Sequence, residues 1–346
     1  MAQKQLLLGG QESAAHAAQL CKAESVPHFP APLSKDIAVA LSKIHKCDLY
    51  DVESQSSAVT AAIAASLTEK RAFLPLSKIR DIEALCSASS LRAPLVSVQA
   101  ASQDNFMLLR DAGWLMFSAS TNQEVLDSVV QAYLVSEDQK VALPSMINMD
   151  MCLREIVSLS GEQMISSTLP RLKLARKLST RDAQSFDYEE RNHEQIHKAM
   201  ENALRLLHKS SEKMGKKFKR NFGLLENFML SDAEYVFVVA GYQSGTAKSA
   251  VRKLRNQGEK VGLLRPRVLR PWPSEEISRA LSNAKRIAVV ESAISLGASG
   301  VLHAHIKAAL QGHISSFISQ KHLAEKDFSD ILVHLKRQEK PERIWM

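Results

Sequence analysis

The chain has 346 residues, is 45% hydrophobic and 24% charged, and has a formal net charge of +8. That composition excludes a disordered polypeptide, and the length allows two domains with full cores. The positive excess by itself leaves nucleic acid, an acidic partner and anionic cofactors open.

The four cysteines, Cys21, Cys47, Cys86 and Cys152, form no C-x-x-C pair. Neither a zinc site nor an iron–sulfur cluster within the chain is expected, and no other metal site is read. Scattered single cysteines suit a reducing compartment. The Leu6-Leu7-Leu8 run is too short for a signal peptide and nothing approaches a membrane span, so a cytoplasmic location is expected.

In chain order, Lys4 to Leu8 reads as a strand and Gln11 to Lys22 as an alanine-rich helix. Ser25 to Ser34 holds Pro27, Pro30 and Pro32 and reads as loop. A helix is expected from Asp36 to Ile44, a strand from Asp48 to Glu53, and a helix from Ser54 to Leu67 with a small-residue stripe, Ala58, Ala61, Ala62 and Ala65. Strands at Leu95–Val98, Trp114–Phe117 and Val141–Met146 alternate with helices at Asn105–Ala112 and Gln123–Ser136. That alternation predicts a first parallel α/β domain over residues 1–150.

Residues 151–231 are polar, charged and without strand pattern, with a helix over Tyr188–Ser210. They read as a charged helical connector. The basic runs Arg171–Arg181 and Lys209–Arg220 read as solvated. No aromatic interleaving or recognised module supports a nucleic-acid partner.

From Tyr235 a βαβ unit is explicit. An apolar strand, Tyr235 to Ala240, meets the turn Gly241 to Thr246. A helix with Ala247, Val251 and Leu254 on one face ends at Gly258, and a second strand starts at Val261. Such units build parallel sheets. The second domain is expected over 232–312, with 313–346 as a tail carrying a short helix around Phe328–Leu335. The fold class expected is therefore α/β, two doubly wound, mainly parallel-sheet domains joined by the connector.

The strand ending in Ala240-Gly241, the Thr246-Ala247-Lys248 turn, Val261-Gly262-Leu263, Arg267-Val268 and Arg270-Pro271-Trp272-Pro273 resemble one family in order. So do Ile287 to Ser292 and Ser295 to Gly300. The pattern is similar to the transketolase-C-terminal-like domain of the α subunit in pyruvate (2-oxoacid):ferredoxin oxidoreductases. In the first half, Phe29 to Ile37 resembles the family's substrate loop. Ser54 to Ala65 resembles the helix after its catalytic glutamate, in a pyrimidine-binding domain.

The resemblance implies a heteromeric complex with β- and γ-type subunits and ferredoxin. Thiamine diphosphate with magnesium would lie at a subunit interface, with iron–sulfur clusters and coenzyme A on the partners. The overall reaction would be oxidative decarboxylation of a pyruvate-like 2-oxoacid to an acyl-coenzyme A. In that chemistry a carboxylate on a pyrimidine nitrogen favours the imino tautomer that activates the cofactor.

The chain departs from the family at each reactive position. Gln55, in Glu53-Ser54-Gln55-Ser56, takes the place of the catalytic glutamate, and an amide does not ionise. Glu53 is two residues away. Pro32 stands where the family has threonine and offers neither hydroxyl nor N–H. Leu74 to Arg80 replaces a glycine-containing turn. Gln99 to Gln103 supplies no cation for a substrate carboxylate, and Arg92 precedes its strand.

No catalytic residue is assigned. Gln55 and Pro32 are degenerate family positions, and Gln55 and Glu53 are the candidate cofactor contacts. Gln55 is also open to a plainer role as a polar helix start. Two functions follow: a divergent, catalytically silent α-type subunit, or a non-enzymatic scaffold or regulatory paralogue pairing with such a subunit. Lys248, Arg252 and Arg255 are read as a solvated face, and Arg267 to Trp272 as an interface motif. Gly241 to Thr246 is read as a plain turn rather than a phosphate loop.

Overall fold

A computed structural model describes residues 4–149, 153–169, 171–173 and 186–346, and the side chains from residue 192 onward in the last range. In chain order the elements are β1 (Lys4–Leu8), α1 (Gly10–Leu20), β2 (Ser25–His28), α2 (Ser34–Ser42), β3 (Asp48–Asp51), α3 (Gln55–Leu67), β4 (Phe73–Leu76), α4 (Ile82–Ser90) and β5 (Val96–Gln99). Next come α5 (Gln103–Phe106), β6 (Leu115–Ser118), α6 (Asn122–Ser136), β7 (Ser145–Asn148), β8 (Glu155–Leu159), α7 (Glu162–Ser166) and α8 (Phe186–Phe218). The remainder is β9 (Leu225–Phe228), β10 (Tyr235–Val239), α9 (Gln243–Asn256), β11 (Val261–Pro266), β12 (Val268–Arg270), α10 (Ser274–Leu281), β13 (Arg286–Glu291), α11 (Val301–Ala309), β14 (His313–Ile318), α12 (Glu325–Arg337) and β15 (Arg343–Trp345).

The chain forms two compact units. The first comprises Met1–Ala101, Leu108–Gly223 and Leu269–Pro271. Its main sheet has the order β12-β6-β7-β5-β4, with β4, β5, β7 and β6 parallel. The parallel pair β2–β3 continues this order through one bridge, Ser25 to Ala72. Pro27 and Pro75 each lack a backbone donor, so no regular ladder joins β2 to β4. Proline is also why Ser25–Ser34 reads as loop in sequence although its first four residues are a buried strand.

Two further strands depart from the expectation. β8 pairs antiparallel with β1. The strand expected at Val141–Met146 lies at Ser145–Asn148, because Ala142 takes a left-handed φ of 44° and Pro144 follows it.

The stretch expected as a connector does not stand apart. Helix α8 packs against α4 and α6 and buries Ala199, Ala203, Leu207, Met214 and Phe218. Asn192 Nδ2 donates to the Ser90 carbonyl at 3.1 Å, and Gln131 Nε2 reaches Ser211 at 3.2 Å. In the basic run at its end Lys209, Lys213, Lys216 and Lys219 are exposed, as expected, while Lys217 and Arg220 are engaged. Lys217 Nζ donates to the Met164 carbonyl at 2.8 Å, and Arg220 pairs with buried Asp127 at 2.7 Å. Most of Arg171–Arg181, and Cys152, lie outside the described residues.

The second unit comprises Ser102–Met107, Leu224–Val268 and Trp272–Met346. Its sheet runs β15-β14-β13-β10-β11-β9, parallel except for β9. Phe237 and Val239 of β10, Ala247, Val251 and Leu254 of α9, and Phe328, Leu332 and Leu335 of α12 share one core. The Phe237 and Phe328 rings meet edge-on at 5.5 Å. Gly258 takes φ of 88° just beyond α9, as its place after the helix predicts. At Gly262 a Cβ would lie 2.6 Å from the Met229 carbonyl, so the glycine allows a close backbone crossing.

Residues 313–346 are structural here: they supply β14, α12 and β15 to this sheet and core. The apolar spacing of His313–Ile318 is that of a buried strand, which a boundary at 312 cuts off.

Candidate functional site

In open parallel sheets ligands collect beyond the carboxyl ends of the strands. On the first unit that edge carries the start of α3, the loop after β2 and the loop after β4. Helix α3 starts at Gln55 because Ser54 is an extended N-cap whose Oγ accepts from the Ser57 N–H at 3.0 Å. Gln55 is therefore the first helical residue, and it is 9% exposed.

All the strong hydrogen bonds of that side chain go to one loop. Gln55 Nε2 donates to the Lys78 carbonyl at 2.7 Å. Oε1 accepts from the Arg80 N–H at 2.8 Å and from the Asp81 N–H at 3.2 Å. Asp81 N-caps α4 through the Ala84 N–H at 3.2 Å, and the Ser56 hydroxyl donates to its other carboxylate oxygen. These bonds hold the Asp81 carboxyl below the usual aspartate range, the Ser56 hydroxyl contributing most.

Glu53 does not join Gln55. It precedes the cap, is exposed, and accepts from the Ser57 hydroxyl at 2.7 Å. That bond holds its carboxyl below the ordinary glutamate range.

The loop after β2 is closed as well. Ser34 Oγ donates to the Phe29 carbonyl at 2.7 Å and to the Ala31 carbonyl at 3.0 Å. The Ser77 hydroxyl donates to the Pro32 carbonyl. Pro32 is exposed, and Leu33 beside it takes a left-handed φ of 72°, which a leucine holds only under constraint.

Pro75 and Leu76 are buried strand residues of β4 rather than part of a turn; the turn is Ser77 to Asp81. Gln99 closes β5, fully buried, beside Asn148 of β7 in register. Arg92 lies at the opposite end of β5 and donates to the Val141 carbonyl at 2.6 Å. Ser34, Ser77 and Asp81 organise this edge without having been singled out in the sequence. The signal available was the run of small hydroxyls around two prolines.

On the second unit, Lys248 and Arg255 are paired and partly buried rather than solvated, while Arg252 is exposed as expected. Lys248 pairs with Glu226 at 2.6 Å, Arg252 lies over the Phe228 ring at 5.3 Å, and Arg255 reaches Asp232 at 2.7 Å. All three secure β9 and the segment after it. The Ser244 hydroxyl closes the Gly241 turn by donating to the Gly241 carbonyl at 2.6 Å. His303 Nε2 lies 3.2 Å from the Ile314 carbonyl. The Trp272 ring packs on His305 at 5.3 Å.

Glu291, at the carboxyl end of β13, is 4% exposed. Its oxygens accept from the Leu302 N–H at 2.7 Å and the His303 N–H at 2.9 Å, at the start of α11. Burial pushes its carboxyl up to about 7, against the pull of those N–H groups. A Cβ on Gly300 would overlap the carboxylate.

Comparison with known proteins now decides the kinship. Residues 31–216 match the model of the pyruvate flavodoxin/ferredoxin oxidoreductase thiamine diphosphate-binding domain. Residues 233–329 match pyruvate:ferredoxin oxidoreductase core domain II. The chain belongs to the pyruvate:ferredoxin oxidoreductase family.

Within that family it is 30% identical to pyruvate synthase subunit PorA of Methanothermobacter thermautotrophicus, over 97% of this chain and 96% of that one. It is also 30% identical to ketoisovalerate oxidoreductase subunit VorA of Pyrococcus horikoshii, over 88% and 84% of the two chains. In fold it resembles 2-oxoglutarate:ferredoxin oxidoreductase from Magnetococcus marinus, with TM-score 0.74 and 13% identity, over 95% of this chain and 65% of that one. A split-gene transketolase described as an inactive β4 tetramer also matches, with TM-score 0.56 and 10% identity, over 95% and 98%. Among the described residues no helix is long and apolar enough to cross a membrane.

The matched domain model is a thiamine diphosphate-binding one, so the fit of this edge matters. It does not fit. The side chain that the resemblance sets at the glutamate position, Gln55, is a neutral amide, and its oxygen and one N–H are already bonded to the Lys78–Asp81 backbone. The amide itself carries no charge with which to shift a pyrimidine tautomer.

Proposed function

We propose that this chain is an α-type subunit of a 2-oxoacid:ferredoxin oxidoreductase assembly that keeps the fold and partner contacts but does not activate a thiamine cofactor. It is a structural or regulatory subunit of a cytoplasmic heteromer. The overall reaction of that assembly is oxidative decarboxylation of a pyruvate-like 2-oxoacid to an acyl-coenzyme A. β- and γ-type subunits carry the iron–sulfur clusters and the coenzyme A site and pass electrons to ferredoxin. Thiamine diphosphate and magnesium, where the assembly uses them, are held by other subunits. The observation that carries this reading is the closed Gln55 amide at the start of α3.

The catalytic alternative, in which Gln55 or Glu53 contacts the cofactor, requires Gln55 to leave its loop or Glu53 to leave Ser57. Both are already bonded where they stand.

Reconstitution tests the reading. The chain is co-expressed with β- and γ-type subunits of such an assembly. A stable complex without pyruvate-dependent ferredoxin reduction supports it. Turnover that requires this chain and is abolished by Gln55→Ala contradicts it.

A further inference from the structure

Resting on that reading of the same edge, we infer that Gln55 is the specificity-determining residue of this site, selecting the chain's own Lys78–Asp81 loop over any external ring. The loop makes two opposite demands on one side chain. The Lys78 carbonyl needs a donor, and the Arg80 and Asp81 N–H groups need an acceptor. A planar amide meets both demands at once. A carboxylate meets only the second, and its other oxygen would face the Lys78 carbonyl where Nε2 now sits at 2.7 Å. An ionised glutamate at position 55 therefore conflicts with this loop, and the amide and the loop form a matched pair.

Two more locks hold the loop. The Ser56 hydroxyl binds Asp81, and the Ser77 hydroxyl binds the Pro32 carbonyl. Between them Ile79 is buried at 4% exposure, so an apolar anchor joins the polar ones. Lys78 and Arg80 face outward on either side of it. They offer trypsin two sites that are cut only when the loop opens.

The inference predicts that glutamate at position 55 opens this loop. Limited trypsin digestion of the full chain, read by mass spectrometry, measures cleavage after Lys78 and Arg80 relative to cleavage after exposed Lys140. Normalising to Lys140 separates loop opening from global unfolding. Gln55→Glu is expected to raise the loop-to-Lys140 ratio by roughly tenfold, as loss of a buried acceptor's partner implies. Gln55→Met, which lacks the bonds but adds no charge, is expected to raise it less. Calorimetry with thiamine diphosphate is expected to give saturable heat for Gln55→Glu only where the loop has opened.

An unchanged ratio in Gln55→Glu overturns the inference. So does Gln55→Glu binding thiamine diphosphate with its loop still protected. Binding of thiamine diphosphate by the unaltered chain would instead sink the functional reading, and the trypsin ratio would still report on the clamp.

Discussion

The side-chain oxygen of Gln55 lies 2.8 Å from the backbone nitrogen of Arg80. That contact joins the first turn of α3 to the loop before α4. The helix start that would face a cofactor faces the chain's own backbone instead. The same loop ends in a residue serving two helices, and this gives the first prediction.

Asp81 caps α4 and takes the Ser56 hydroxyl from α3. Asp81→Ala should lower unfolding stability by about 1 kcal/mol, the usual worth of a helix N-cap. The Asp81 carboxyl is held below its usual range, so the stability it adds is present above the unfolded pKa. It is lost as pH falls through the folded one. Urea unfolding of both proteins at neutral and acid pH should show the difference between them shrinking in acid.

Glu291 has the opposite sign. Burial lifts its folded pKa from 4.5 to about 7. Its contribution to stability is fully present below about 4.5 and is lost as pH rises through about 7. Glu291→Gln removes this titration. Across that window the wild type should lose stability relative to the variant, whatever their absolute difference at one pH. Parallel pH profiles of unfolding would contradict the assignment.

Gly300 is small because Glu291 reaches the α11 N-terminus across it. Gly300→Ala should cost about 1–3 kcal/mol, the usual range for overpacking a tight site. The cost should fall when Glu291→Ala is combined with it, because the clash is with that carboxylate. A double-mutant cycle by thermal or urea unfolding measures the coupling.

Arg71 and Glu137 form a buried pair at 2.5 Å, with side chains 13% and 0% exposed. Arg71 also donates to the Cys21 carbonyl at 2.6 Å. Burial pushes the Glu137 carboxyl up, and the guanidinium pulls it back. Arg71→Met leaves a buried carboxylate alone and should cost about 3–5 kcal/mol. Replacing both residues with apolar ones should recover much of that loss, as measured by urea unfolding.

Fold class was legible in the sequence because the strands of both sheets are short apolar runs set between helical patterns. Tyr235 to Leu264 shows this best, and Gly258 marked its helix end correctly. Strands interrupted by proline were not legible: Pro27 and Pro75 hide β2 and β4, whose burial comes from neighbours distant in the chain. The helix over Tyr188–Ser210 was legible and lies within α8, but the polar look of residues 151–231 concealed that one face of it packs on α4 and α6.

At the site, the identity of Gln55 was readable but its partners were not. Lys78, Arg80 and Asp81 lie more than twenty residues away, and they bond through their backbone, which has no side-chain signature. Lys248 and Arg255 misled for a related reason. Their carboxylates, Glu226 and Asp232, precede them by more than a turn of any shared helix.

The central claim is that this edge is closed to a thiamine ring. Its most direct test is isothermal titration of thiamine diphosphate with magnesium into this chain alone and into its complex with the β-type subunit. The β-type subunit alone serves as the reference. The account predicts no saturable heat for the chain, and for the complex no more sites or affinity than the reference shows. Saturable binding that needs this chain and is lost in Gln55→Ala would contradict it.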